Sequence, residues 1–98
     1  MYAVVNRLRL GSPIAPEVWD RAQAELPPRM REIDGFSGFH VIEISPDEVV
    51  LVILADTAET LDRIATEVGG AWMRENVIPH LAEPPDRQIG RVVASDTP

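Results

Sequence analysis

From Tyr2 to Leu10 the side chains alternate. Tyr2, Val4, Asn6, Leu8 and Leu10 face one way; Ala3, Val5, Arg7 and Arg9 face the other. A period of two is the mark of a strand, and Gly11-Ser12-Pro13 ends it. From Pro16 the period lengthens. Trp19, Ala22, Leu26, Met30 and Ile33 recur every three or four residues, which predicts a helix with proline in its first turn. Pro27 and Pro28 interrupt that helix. Each removes a donor and crowds the preceding turn, so a kink or break is expected there while the apolar stripe continues.

Gly35-Phe36-Ser37-Gly38 opens a second strand that runs to Ser45, with Phe36, His40, Ile42 and Ile44 expected on one face. Pro46-Asp47-Glu48 turns the chain into Val49–Leu54, six aliphatic residues without a polar break. Asp56-Thr57-Ala58-Glu59 caps a second helix that shows Leu61, Ile64, Ala65 and Val68 on one face. Gly69-Gly70 permits a bend, and Ala71 to Asn76 suggests a further helical piece. Glu83-Pro84-Pro85-Asp86 reads as a loop, Ile89 to Ser95 as the last strand, and residues 96–98 as a tail. The order is β-α-β-β-α-β, a ferredoxin-like α+β domain over residues 1–98.

A strand with one wet face would alternate apolar with polar. Val49–Leu54 does not, so both of its faces need cover. In a chain of 98 residues one helical layer covers one face. The other face, with Val5 and Val41 adding to it, calls for a second copy of the chain. The expectation is a homodimer built sheet to sheet as an α/β barrel.

Composition narrows the chemistry. Cysteine is absent, which removes disulfides, thiolate metal sites and cysteine nucleophiles. Lysine is absent too, so Schiff-base catalysis is excluded. The net charge of −7 argues against nucleic acid and anionic membranes as partners. No apolar stretch approaches the roughly 20 residues of a membrane span, and no signal-peptide pattern opens the chain. A soluble, cytoplasmic protein is expected.

Three features together resemble the antibiotic biosynthesis monooxygenase family of dimeric α+β barrels. They are the Gly-Phe-x-Gly turn at Gly35–Gly38, the apolar strand Val49–Leu54 and the Ala-Glu-x-Leu helix start at Ala58–Leu61. The first strand, Asn6-Arg7-Leu8-Arg9-Leu10, looks like that of the family's haem-degrading branch. The resemblance implies a small cofactor-independent monooxygenase acting on a hydrophobic, aromatic substrate of polyketide type. It leaves open a haem-binding, haem-degrading enzyme and a non-catalytic ligand-binding dimer. In the haem-degrading branch an asparagine on strand one, a tryptophan on the second helix and a later histidine do the work. This chain has Asn6, Trp72 and His80, of which Asn6 falls at the matching position.

The residues themselves supply candidates. Asn6 is the one strongly polar group on an apolar strand face, suited to orienting a substrate oxygen. His40 shares a strand face with apolar neighbours and is expected to meet Asn6 in one internal pocket. His80, after Pro79, is a candidate general base at the pocket mouth. Phe36, Leu8, Ile64, Val68 and Trp72 are the expected substrate-binding walls. No metal site is expected, because His40 and His80 lie far apart without ligand spacing.

Overall fold

The computed structural model of the chain describes residues 1–96. Its strands are β1 (Tyr2–Arg9), β2 (Phe36–Ser45), β3 (Glu48–Ala55) and β4 (Asp86–Arg91). They form one antiparallel sheet in the order β2-β3-β1-β4. The helices are α1 (Pro16–Met30), α2 (Ala58–Ile64) and α3 (Gly70–Asn76). A π-helical turn, Ala65–Gly69, joins α2 to α3. The ferredoxin-like β-α-β-β-α-β order is the one the sequence predicts.

The helices bury one face of the sheet. Val4 and Leu8 of β1 and Val49, Leu51, Ile53 and Ala55 of β3 form the core with Ala22, Leu26 and Met30 of α1. Leu61, Ile64, Val68, Trp72 and Val77 complete it. β3 therefore alternates in accessibility although not in composition. Val50, Val52 and Leu54 face outward and are only half-buried in the single chain.

Three expectations are corrected. First, of the kink or break expected at Pro27 and Pro28, the break does not occur: α1 is continuous from Pro16 to Met30. Their missing N–H groups would have bonded the carbonyls of Gln23 and Ala24, one turn back. Both residues are exposed, so water can solvate those carbonyls. Second, β4 is Asp86–Arg91 rather than Ile89–Ser95. Its register with β1 runs to the Tyr2–Arg91 pair, followed by one bond from the Val92 N–H to the Met1 carbonyl. Third, the faces of β2 are reversed. A bulge between Phe36 and Gly38 shifts the register by one residue. Phe36, Phe39 and Val41 consequently pair with the inward residues Ala55, Ile53 and Leu51. His40 and Ile42 pair with the outward Val52 and Val50. A one-residue slip moves every following side chain to the other face, so Val41 covers the helix side instead of the outer side.

The second helix starts as its sequence requires. The Thr57 hydroxyl accepts from the Thr60 N–H at 3.1 Å, a standard N-cap. In the π-helical turn the Gly70 N–H bonds to the Ala65 carbonyl. A Cβ on Gly70 would lie 2.8 Å from that carbonyl oxygen, whereas one on Gly69 would meet nothing closer than 3.7 Å. Gly70→Ala is therefore expected to cost about 1–3 kcal/mol through overpacking. Gly69→Ala should be neutral or stabilise by up to about 1 kcal/mol through helix propensity. Urea denaturation of the two variants checks the difference; equal midpoints would mean that the turn does not need its glycine.

Candidate active site

Asn6 sits at the middle of β1, between Leu51 of β3 and Arg87 of β4 in the sheet register. Its neighbours two residues away, Val4 and Leu8, are buried under the helices. Its side-chain Oδ1 is buried and accepts no hydrogen bond. An unpaired buried acceptor costs roughly 1–3 kcal/mol, so this atom is a standing demand for a donor.

His40 does not share that environment. Asn6 aligns with the inward Leu51, and His40 aligns with the outward Val52. The two lie on opposite faces of the sheet, and the expected common cavity is not formed. The bulge at Ser37 is the cause. Its signal in the sequence was the glycine pair Gly35 and Gly38 flanking the strand entry.

His80 ends a short 3₁₀ turn, Ile78–His80. Its carbonyl accepts from the Gly11 and Ser12 N–H groups, and its Nδ1 lies 3.0 Å from the Ser12 hydroxyl. The next residue, Leu81, bridges to Leu10. His80 is thereby fixed at the Leu10 end of β1, four residues from Asn6, or roughly 13 Å along the strand. A fused-ring molecule could span that gap; a direct hydrogen bond could not.

The proposed walls are closed. Leu8 and Ile64 are 0% exposed, and Val68 is buried. Trp72 is 8% exposed, and its indole N–H donates to Glu25 Oε2 of α1 at 2.8 Å. Its ring lines a cleft with Arg21, Arg29 and Asn76, between α1 and α3. Phe36 faces inward but lines a different space, an open groove of about 820 Å³ between α1 and β2. Trp19, Pro27, Arg31, Phe39 and Val41 share that groove, and Asn6 does not.

One neighbour was not foreseen. Arg87 pairs with Asn6 across the β1–β4 ladder and so stands on the same face. It touches Asp62 of α2 at 3.4 Å, with its side chain 37% exposed. The alternation in the sequence starts the last strand at Ile89, three residues after its observed start, and so assigns Arg87 to no element.

The residues named for the haem-degrading branch are not gathered at one open cleft: the Trp72 indole is bonded to Glu25, His80 Nδ1 lies against the Ser12 hydroxyl, and Leu8, Ile64 and Val68 are buried. Among the described residues no group of three His, Asp or Glu side chains gathers to hold a metal, and no helix is long and apolar enough to cross a membrane.

An antiparallel sheet with three helical segments on one face and an apolar outer face defines the class. The solved structures of similar shape agree. A protein of unknown function from Nitrosomonas europaea superposes with a TM-score of 0.75 at 14% identity, over 99% of this chain and 93% of that one. A monooxygenase of Streptomyces coelicolor in complex with nanaomycin D gives 0.74 at 17% identity, over 99% and 91%. SnoaB, a cofactor-independent oxygenase of Streptomyces nogalater, gives 0.71 at 11% identity, over 96% and 94%. Another structure of this shape is an antibiotic biosynthesis monooxygenase. This chain has the fold of the antibiotic biosynthesis monooxygenases. No protein-family profile and no curated protein matches it by sequence.

Proposed function

We propose that this protein is a small cofactor-independent monooxygenase that acts, as a homodimer, on a hydrophobic aromatic substrate of polyketide type. The observation that carries the reading is the unpaired, buried Oδ1 of Asn6, set in an apolar layer of a fold shared with oxygenases. A phenolic O–H is the donor this acceptor lacks. Once the phenol is deprotonated, rotation of the amide presents its N–H₂ to the oxyanion. Arg87, on the same face, adds positive charge beside it. His80 is the base for a substrate long enough to reach the Leu10 end.

The chemistry balances without a resident cofactor. The substrate anion gives an electron to dioxygen, and the radical pair combines to a peroxide. The peroxide eliminates water and leaves a carbonyl. One O₂ is consumed, one oxygen atom enters the ring as the quinone carbonyl, and the other leaves as water. Entry requires the segment from Ile64 to Trp72 to lift. The π-helical turn Ala65–Gly69 lies in that segment, and π turns occur frequently at functional sites.

The dimer in this reading forms through the outer sheet face. Val5, Val50, Val52 and Leu54 are half-buried there, and Ile42 is 45% exposed. Arg7 and Glu48, paired at 3.1 Å, and Asp86 lie at one end of the same face. Both charge signs are thus available to a two-fold copy.

A second reading, a ligand-binding dimer without turnover, is favoured by one observation: His40 is separated from Asn6 by the sheet. Titration with a hydroxylated anthrone separates the two. Binding with oxygen uptake supports the enzyme, binding without uptake supports the carrier, and no binding removes both. A Soret shift on adding haemin would favour the haem-binding alternative instead.

A further inference from the structure

On α1 three long polar residues recur at four-residue steps: Arg21, Glu25 and Arg29. They run beside the buried stripe of Ala22, Leu26 and Met30. Each holds a different residue of the segment 65–76. The Arg21 guanidinium donates to Asn76 Oδ1 at 2.7 Å, the Trp72 indole N–H donates to Glu25 Oε2 at 2.8 Å, and Arg29 donates to the Glu67 carbonyl at 3.4 Å. Steps of four on α1 thus meet steps of four and five on the facing segment. The step of five falls at the π-helical turn, whose i→i+5 bonds hold one residue more than an α turn.

Both ends of the segment are anchored elsewhere. Before it, the Thr57 cap and the Arg87–Asp62 pair hold α2. After it, the His80 carbonyl is bonded to Gly11 and Ser12. Among the described residues, the hydrogen bonds from 65–76 to parts of the chain distant in sequence all end on α1. Of these, Trp72 to Glu25 is part-buried and the other two are exposed. A bond shielded from water is the stronger hold. Outside it α1 and α3 leave a cleft of about 390 Å³, walled by Trp72 and rimmed by Arg21, Arg29, Glu75 and Asn76.

We propose that Glu25 is a positioning residue for the Asn6 site: it holds Trp72 as a gate, and the α1–α3 cleft is the port through which a hydroxylated aromatic enters. The proposal rests on the monooxygenase reading above. The π turn supplies the movement. Passing its extra residue along the helix turns Val68 and Trp72 relative to α1 while both anchored ends stay in place. The Glu25 carboxylate also accepts from a phenolic O–H. An incoming phenol therefore replaces the indole N–H that it displaces, and no buried charge is left without a donor.

Stopped-flow binding of a hydroxylated anthrone under argon, where no turnover occurs, tests the gate. Glu25→Ala should raise the association rate at least about fivefold and the dissociation rate by a similar factor, leaving Kd within about twofold of the parent. Glu25→Gln, which keeps an acceptor for the indole, should stay within about twofold in both rates. Trp72→Phe, which keeps a ring and removes the N–H, should accelerate association as Glu25→Ala does, and the double variant no further. Parent-like association in Glu25→Ala, with only a lower melting temperature, would make Glu25 a packing residue and overturn the gate. Absence of anthrone binding in the parent would remove the monooxygenase reading instead. The latch is then decided without ligand, by acrylamide quenching in a Trp19→Phe background where Trp72 is the one tryptophan. Quenching at least about twofold stronger in Glu25→Ala, and parent-like in Glu25→Gln, supports the latch; equal quenching in all three overturns it.

Discussion

Asn6→Leu is expected to make the protein more stable and to remove its activity. The two effects have one cause. Asn6 Oδ1 is buried without a donor, and its neighbours on that face are Val4, Leu8 and Leu51. Leucine has nearly the same shape and no polar atom. Removing an unsatisfied acceptor should return about 1 kcal/mol to the folded state. The same change deletes the group proposed to hold the substrate oxygen. Turnover or ligand affinity should fall at least about tenfold, roughly 1.4 kcal/mol. Asn6→Ala should lose activity equally but leave a small cavity and gain no stability. Thermal denaturation and oxidation assays on the three proteins give the answer. A leucine variant that is less stable than the parent would mean that Asn6 is a structural residue with partners.

In the proposed homodimer, Val52→Asp is expected to separate the subunits without unfolding them. Val52 stands near the centre of the outer face, in one row with His40, Val5 and Gln88. An isologous interface meets each substitution twice, and an unpaired charge buried in an apolar contact costs several kcal/mol. The dimer constant should weaken at least about a hundredfold, roughly 2.7 kcal/mol. The core residues Val49, Leu51 and Ile53 point the other way, so circular dichroism should be unchanged. Light scattering at micromolar concentration should report the single-chain mass. If the variant stays dimeric with the parent's affinity, the outer face is not the interface.

The sequence made the fold legible because period and punctuation agreed along most of the chain. Alternation at Tyr2–Leu10, the aliphatic run at Val49–Leu54 and the cap at Thr57 each specify a local structure without help from elsewhere. The errors lie where local pattern is ambiguous. On β2 both faces carry apolar residues, Phe39 and Val41 on one and Ile42 on the other. Hydrophobicity could not say which faces the helices, and a single extra residue at Ser37 decided it. That bulge sent His40 outward. The end of β4 differs for another reason: Val92–Ser95 has strand-forming residues, but among the described residues only the Val92 N–H finds a ladder partner. Pro27 and Pro28 do not end the helix because the lost bonds fall on the exposed Gln23 and Ala24. Asn6 was legible because a lone amide on an apolar face stands out in the sequence. Arg87 was not, since its position beside Asn6 depends on pairing across the ladder.

Oxygen uptake by the metal-free protein with a hydroxylated anthrone tests the central claim most directly. The account predicts one O₂ consumed for each quinone formed, unaffected by a chelator and lost in Asn6→Leu. Uptake no faster than in buffer, or uptake that survives Asn6→Leu undiminished, would contradict it.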